Sequence, residues 1–246
     1  MCIKRLLFIV FVYLMAFRGY AQSDSSAINY RVSARNLHSS QYGSQVVPAG
    51  FIAAGVILEL SDVKKEIQEA IPGTNTNIDD YLQWAPVAIM YSSDLLGIKH
   101  KNKLFNQTKY LLFAGLATSA LTQVFKKLTH VTRPNGGVNS FPSGHTSNAF
   151  AGATVLFQEY KESNKIIAFS GYLFSSATAT LRVTNNKHWV PDVLVGAGLG
   201  ILVANLIYCL EPLKNWEPIK LSDKVSILPD IDAGNQICLV NIKISF

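Results

Sequence analysis

The sequence predicts an all-α core, embedded in a membrane, followed by a short C-terminal β-hairpin. Three observations carry this. Apolar stretches of helical length recur through the chain, hydrophobic residues make up 49% against 15% charged, and the last residues switch to strict alternation. Soluble domains carry about a quarter charged residues, so the deficit points to a membrane protein or to a strongly apolar helical fold.

Lys4 and Arg5 precede the apolar run Leu6 to Phe17, and Gly19-Tyr20-Ala21 offers a small-x-small cleavage site. Residues 1–21 therefore read as an export signal, with an uncleaved anchor as the alternative. Residues 22–47 form a polar lead-in. The run from Val46 to Leu60 falls short of the about 20 apolar residues of a bilayer span. A charged helical stretch with Lys64, Lys65, Glu66 and Glu69 follows it, so this first helix is expected to lie against the fold or the interface. Asp79 and Asp80 precede Tyr81-Leu82-Gln83-Trp84 and read as helix N-capping residues.

Apolar stretches then recur at 84–98, 109–125, 147–158, 166–181 and 189–210, of which only the last approaches spanning length unaided. The others span if flanking polar residues are counted, or pack as core helices of a soluble bundle. Frequent Gly and Ala suit close helix packing in either setting. Residues 48–215 are taken as the helical core and 216–246 as the tail. In the tail, Val240, Ile242, Ile244 and Phe246 alternate with Asn241, Lys243 and Ser245, the period of a strand. Asp232-Ala233-Gly234-Asn235 is a turn signal between its two halves.

Net charge is +6 without a long basic run or an aromatic–basic patch. That argues against a nucleic-acid partner and for an anionic one. The three cysteines, Cys2, Cys209 and Cys238, show neither metal spacing nor a disulfide framework. Cys209 and Cys238 read as small buried hydrophobes. Lysines crowd the loops around 99–109, 161–165 and 214–220, as expected of loops that stay cytoplasmic. Lys126, Lys127 and Arg133 then fall on the outer side, an excess that needs a chemical reason.

Three clusters supply it. Lys126 is followed after six residues by Arg133-Pro134; Pro142-Ser143-Gly144-His145 opens an apolar helix; Arg182 is followed after five residues by His188 and after three more by Asp192. Lys126 and Arg133 bring positive charge, and Arg182 adds a planar donor fork matched to phosphate oxygens. Ser143 suits an N-cap, Gly144 allows close backbone approach, and a helix N-terminus binds anions through free N–H groups. Asp192 lies four residues after His188, so the two side chains face each other on one turn. A carboxylate on one ring nitrogen leaves the other free to attack. Taken singly, each piece has an ordinary structural reading, whether a solvated cation, a helix start or a capping pair.

Together and in this order, the clusters resemble the type 2 phosphatidic acid phosphatase and vanadium haloperoxidase superfamily, whose pattern is K-x6-RP, PSGH and SR-x5-H-x3-D. The resemblance covers roughly residues 80–210. One position departs, with Leu181 where the pattern has Ser. The resemblance implies a six-helix bundle with no metal and no cofactor. It implies His188 as a nucleophile that forms a phosphohistidine, Asp192 as its orienting carboxylate and His145 as general acid and then base. Lys126, Arg133, Ser143, Gly144 and Arg182 would cradle the phosphate. The expected activity is hydrolysis of a phosphate monoester or diphosphate, with a phosphorylated lipid as partner, at a periplasm-facing site in a bacterial-type inner membrane. A soluble periplasmic acid phosphatase, a vanadate-dependent haloperoxidase and a non-catalytic phosphate-binding membrane protein are the alternatives. His38, His100 and His130 read as surface residues.

Overall fold

The computed structural model describes residues 31–210, Leu213, Trp216 and two strands at 225–230 and 239–244, with side chains from Gln45 onward in the helical part. The leader, Cys2, Cys238 and the turn at 232–235 lie outside the described residues. Eight α-helices occur among them. They are α1 (Arg31–Leu60), α2 (Val63–Ala70), α3 (Ile78–Leu82), α4 (Ala85–Leu95), α5 (Leu104–Thr129), α6 (Gly144–Tyr160), α7 (Lys165–Thr184) and α8 (Val190–Cys209). In the tail, β1 (Val225–Asp230) pairs antiparallel with β2 (Leu239–Ile244), Val225 opposite Ile244 and Asp230 opposite Leu239.

The expected count of six helices is corrected to eight. The two extra helices, α2 and α3, are short and charged. No residue of α2 is buried, and the buried residue of α3 is the carboxylate Asp79. Counting apolar runs finds helices that bury an apolar face, and neither of these does. The first helix also starts earlier than its apolar run, at Arg31, inside the polar lead-in. A sharp bend of 98° separates the part of it from Gln45 to Leu60 from α2.

The middle of the bundle is built around α8, which packs along α1 and α6. Its glycines allow this. A methyl group at Gly198 would meet Ile52 Cγ1 at 2.6 Å and the carbonyl oxygen of Pro48 at 2.8 Å. One at Gly196 would sit 2.8 Å from the carbonyl oxygen of Ser143, and one at Gly200 would collide with the carbonyl oxygen of Ser147. From the other side, Gly55 of α1 presses against Val195 and Pro191. Phe141, Ile52, Val195 and Leu199 fill the space around the crossing.

The outer helices are inverted relative to a water-soluble bundle. On α5 the buried row holds Gln107, Thr118, Thr122 and Lys126, whereas Leu112, Leu116, Val124 and Leu128 are exposed. On α7 the buried row is Ala168, Gly171, Ser175, Thr178 and Arg182, with Ile166, Phe169 and Leu173 exposed. Small and hydroxylated residues inside with large apolar ones outside is the pattern of helices packed in lipid. Among the described residues two helices, α7 and α8, are long and apolar enough to cross a membrane, and the bent pair α1–α2 would make a third if it forms one span. Cys209, expected to be buried, is exposed at the end of α8.

Helix direction sorts the chemistry to one end. The C-termini of α5 and α7 and the N-termini of α6 and α8 carry Lys126, Arg182, His145 and Asp192. At the opposite end Glu159 accepts from the Asn102 backbone at 2.9 Å and from the Tyr208 hydroxyl at 2.5 Å, which ties down the lysine-rich loop before α5.

Gly200→Ala should force α8 away from the α6 backbone and destabilise the fold by about 1–3 kcal/mol. Gly50→Ala, with nothing within 4 Å of the added methyl, should be neutral or slightly stabilising. Thermal unfolding of the two purified variants in detergent should separate them, with a lowered midpoint for the first alone.

Candidate functional site

The site grows from two chain segments that close over the end of the α6–α8 crossing. The first is the loop between α5 and α6. α5 stops at His130, which adopts a left-handed backbone with φ of 50°. The chain then turns through Arg133, whose N–H donates to the Gly137 carbonyl at 2.7 Å. Lys126 Nζ holds the far side of this loop by donating to the carbonyls of Asn139 at 2.7 Å and Ser140 at 3.2 Å. The second segment is the turn between α7 and α8. There the N–H groups of Lys187 and His188 both donate to the Arg182 carbonyl at 3.1 Å. The Ser143 N–H donates to the Asp192 carbonyl at 3.0 Å and locks the two segments together.

Six of the eight expected site residues line one open cavity of about 550 Å³: Lys126, Arg133, Gly144, His145, Arg182 and His188. The other two lie beneath it. Asp192 is fully buried behind His188, with Oδ2 3.2 Å from His188 Nδ1. The same oxygen accepts from the Trp189 N–H at 2.9 Å and from the Ser140 hydroxyl. Ser143 occupies the N-cap position of α6, but its hydroxyl is fully buried and accepts from Thr146 at 3.0 Å instead of reaching the cavity. The Ser143 side chain therefore stands apart from the expected phosphate cradle, because the helix start turns it into the core.

His188 is 1% exposed, and burial pushes its imidazole well below the usual range, with the charges of Lys126, Arg182 and Arg133 adding to the effect. The ring is thus neutral. Its Nδ1 faces Asp192 and Ser140, which leaves Nε2 as the nitrogen with a free lone pair. His145 is also lowered, by burial first and then by Arg182, against the opposing pull of Asp80 and Asp79. The Nε atoms of Arg133 and Arg182 are buried and have no hydrogen-bond partner among the described residues. Buried donors are normally satisfied, so two orphaned guanidinium N–H groups beside one cavity mark a place for an anion.

Several neighbours escaped the sequence reading. Asp79 and Asp80 do not cap a helix; Asn77 occupies that position and neither acid makes a capping bond. Asp79, fully buried, accepts from Arg182 Nη1 at 2.6 Å and pairs with Lys187 at 3.2 Å. Asp80 Oδ1 lies 2.9 Å from His145 Nε2 and 3.6 Å from Arg182 Nη1. The acidic pair was visible in the sequence, but its partners are more than sixty residues away. Ser140 carried no signal at all. The segment that delivers the acids is pinned to the end of α7: the Thr74 N–H donates to the Thr184 carbonyl at 2.8 Å, and Asn185 Nδ2 donates to the Thr76 carbonyl at 2.8 Å.

Burial works to raise the Asp79 carboxyl, but its hydrogen bonds and attraction to Arg182 and Lys187 outweigh this and hold it below its usual range. Its contribution to stability is therefore present above the ordinary carboxylate pKa of about 4 and is lost as pH falls further. Asp79→Ala leaves Arg182 buried without its counter-charge and should cost about 3–5 kcal/mol near neutral pH. Unfolding midpoints measured against pH should show that deficit narrowing at acid pH.

The chain is similar to several known proteins. The PAP2 superfamily model matches residues 107–216. The lipid A 1-phosphatase of Porphyromonas gingivalis is 34% identical over 154 residues, which is 62% of this chain and 35% of that protein. The chain thus spans about a third of that relative's length. Among solved structures, Aquifex aeolicus LpxE superposes with a TM-score of 0.44 at 22% identity, over 61% of this chain and 94% of that one. The PAP2-type phosphatidylglycerolphosphate phosphatase of Bacillus subtilis does so with a TM-score of 0.40 at 20% identity, over 85% and 96%.

Proposed function

We propose, from the match of residues 107–216 to the PAP2 superfamily model, that the chain is a membrane-embedded phosphatase acting on a phosphorylated lipid through a phosphohistidine. The observation that carries this is the cavity in which two imidazoles, His145 and His188, face Lys126 and two arginines, Arg133 and Arg182, whose guanidinium Nε groups lack partners among the described residues. A binding site needs only cations and N–H groups. A nucleophile held by a carboxylate, opposite a second imidazole able to move a proton, is the apparatus of covalent phosphoryl transfer.

The substrate phosphate sits among Lys126, Arg133, Arg182 and the N-terminus of α6 at Gly144. These donors stabilise the charge on its non-bridging oxygens as it flattens toward the transition state. The Nε2 lone pair of His188 forms a bond to phosphorus while the bond from phosphorus to the leaving oxygen breaks. The leaving oxygen keeps that electron pair and takes the proton of His145. Asp192 and Ser140 hold the Nδ1 side of the nucleophile throughout. In the second step His145 accepts a proton from water as the water oxygen bonds to phosphorus, the P–N bond breaks, and inorganic phosphate leaves.

Two features support a lipid substrate. An apolar groove of about 350 Å³, walled by Trp84, Val87, Leu111, Leu112, Leu116 and Gly152, shares Asn148 with the cavity of the site. A chain leaving the phosphate can run along it to the exposed apolar faces of α5. The lysine-rich loop lies at the other end of the bundle, the end expected to stay cytoplasmic, so the site opens toward the outer side. The P. gingivalis relative that matches part of the chain is itself named for a lipid phosphatase activity.

His188→Ala should abolish phosphate release from purified protein while inorganic vanadate still binds; full activity in this variant would remove His188 from its role. Acid-labile, base-stable phosphate trapped on the wild type and absent from the variant identifies the intermediate. If the groove receives an acyl chain, kcat/KM in mixed micelles should rise by about tenfold or more between short-chain and long-chain phosphate monoesters, at about 0.8 kcal/mol per buried methylene. A flat series would point to a soluble-ester phosphatase instead.

A further inference from the structure

The nucleophile His188 has a dedicated carboxylate four residues along its own chain segment. The acid His145 has no such neighbour in sequence, yet a carboxylate stands 2.9 Å from its Nε2, brought from α3 by the turn that pins residues 74–76 to the end of α7. We propose that Asp80 is the positioning residue for His145, orienting its ring and keeping it charged with the proton that the leaving group needs; this rests on the phosphatase reading above.

The surroundings of His145 make such a partner necessary. Apart from Asp80 itself, the charged groups lining the same cavity are Lys126 of α5, Arg133 of the following loop, Arg182 of α7 and Lys187 of the next turn, all cationic, with neutral His188 beside them. Burial and Arg182 both drive His145 toward its neutral form, and a neutral imidazole is no acid for an alkoxide leaving group. Among the described residues the acids facing it, Asp79 and Asp80, come from α3, and they divide the work. Asp79 is fully buried and engaged by Arg182 and Lys187, so its charge is spent against theirs. Asp80 is partly exposed, lies farther from Arg182 at 3.6 Å, and turns to His145. A carboxylate beside a phosphate cradle opposes anion binding. Its presence there makes sense if it serves the proton rather than the phosphate. Asp80 touches no reacting atom in this scheme and acts through His145.

The test compares Asp80→Asn, which keeps shape and removes charge, with wild type, His145→Ala and the double variant. It uses full-length protein on p-nitrophenyl phosphate and on an alkyl phosphate monoester. Asp80→Asn should lower kcat on the alkyl ester by about tenfold or more, within the range of a general-acid contribution. On p-nitrophenyl phosphate, whose leaving group departs without a proton, the loss should be several-fold smaller. The alkaline limb of the kcat/KM profile should move to lower pH, because His145 loses its supporting charge. Asp80→Glu should restore part of the alkyl-ester rate. In the His145→Ala background the Asp80 substitution should add no further loss. Equal losses on both esters, an unmoved pH profile, or losses that multiply in the double variant would each overturn the proposal. Absence of phosphate release from wild-type protein would instead overturn the phosphatase reading itself, so the two failures are distinct.

Discussion

The structure depends on how closely α8 can approach the backbone of α6. Gly196 and Gly200 allow a contact in which any side chain would run into the carbonyl oxygens of Ser143 and Ser147. Because α6 and α8 meet near their N-termini, this contact brings the start of one beside the start of the other. The Ser143 N–H then bonds the Asp192 carbonyl. His145 on the first turn of α6 and His188 just ahead of α8 consequently open into one cavity. Without that approach the two imidazoles would belong to separate helix ends, and each motif would keep only its ordinary structural meaning.

Bringing several cations together is costly unless each is partly compensated. The fold compensates them unequally, and the inequality has a use. Lys126 spends its hydrogen bonds on the carbonyls of Asn139 and Ser140, which fixes the loop that carries Arg133. Arg182 gives one guanidinium nitrogen to Asp79 and keeps its Nε unsatisfied, as does Arg133. Part of the charge is thus balanced within the fold, while two guanidinium Nε donors at the cavity remain without a partner among the described residues. Beneath them Asp192 is shared among His188, Ser140 and the Trp189 N–H, which holds the His188 ring from behind.

The outer surface answers to a different solvent. On α5 and α7 the side chains that would form a core in water point outward, and the polar ones point in. Close packing of small residues takes the place of hydrophobic burial between such helices. The same inversion frees the interior for hydroxyls and charges, so the polar rows that support the site need no separate scaffold. The apolar groove beside Trp84 joins these two regimes, with Asn148 at the boundary.

Much of the site was legible in the sequence because its residues lie close together along the chain. His188 and Asp192 are one helical turn apart, and Pro142 to His145 form a single helix start, so their spacing alone constrained their geometry. The apolar stretches likewise located the six helices that bury a face. Tertiary structure alone decided what has no local spacing. Asp79 meets Arg182 across 103 residues, and Asp80 meets His145 only because the segment before α3 is tied to the end of α7. The Ser143 hydroxyl turns inward for the same kind of reason: its direction depends on how α6 packs, which its neighbours in sequence do not encode. Local periodicity specifies which face a residue takes on its own helix. Which charge it then meets depends on the packing of helices distant in sequence, and here glycine contacts and loop hydrogen bonds set that packing.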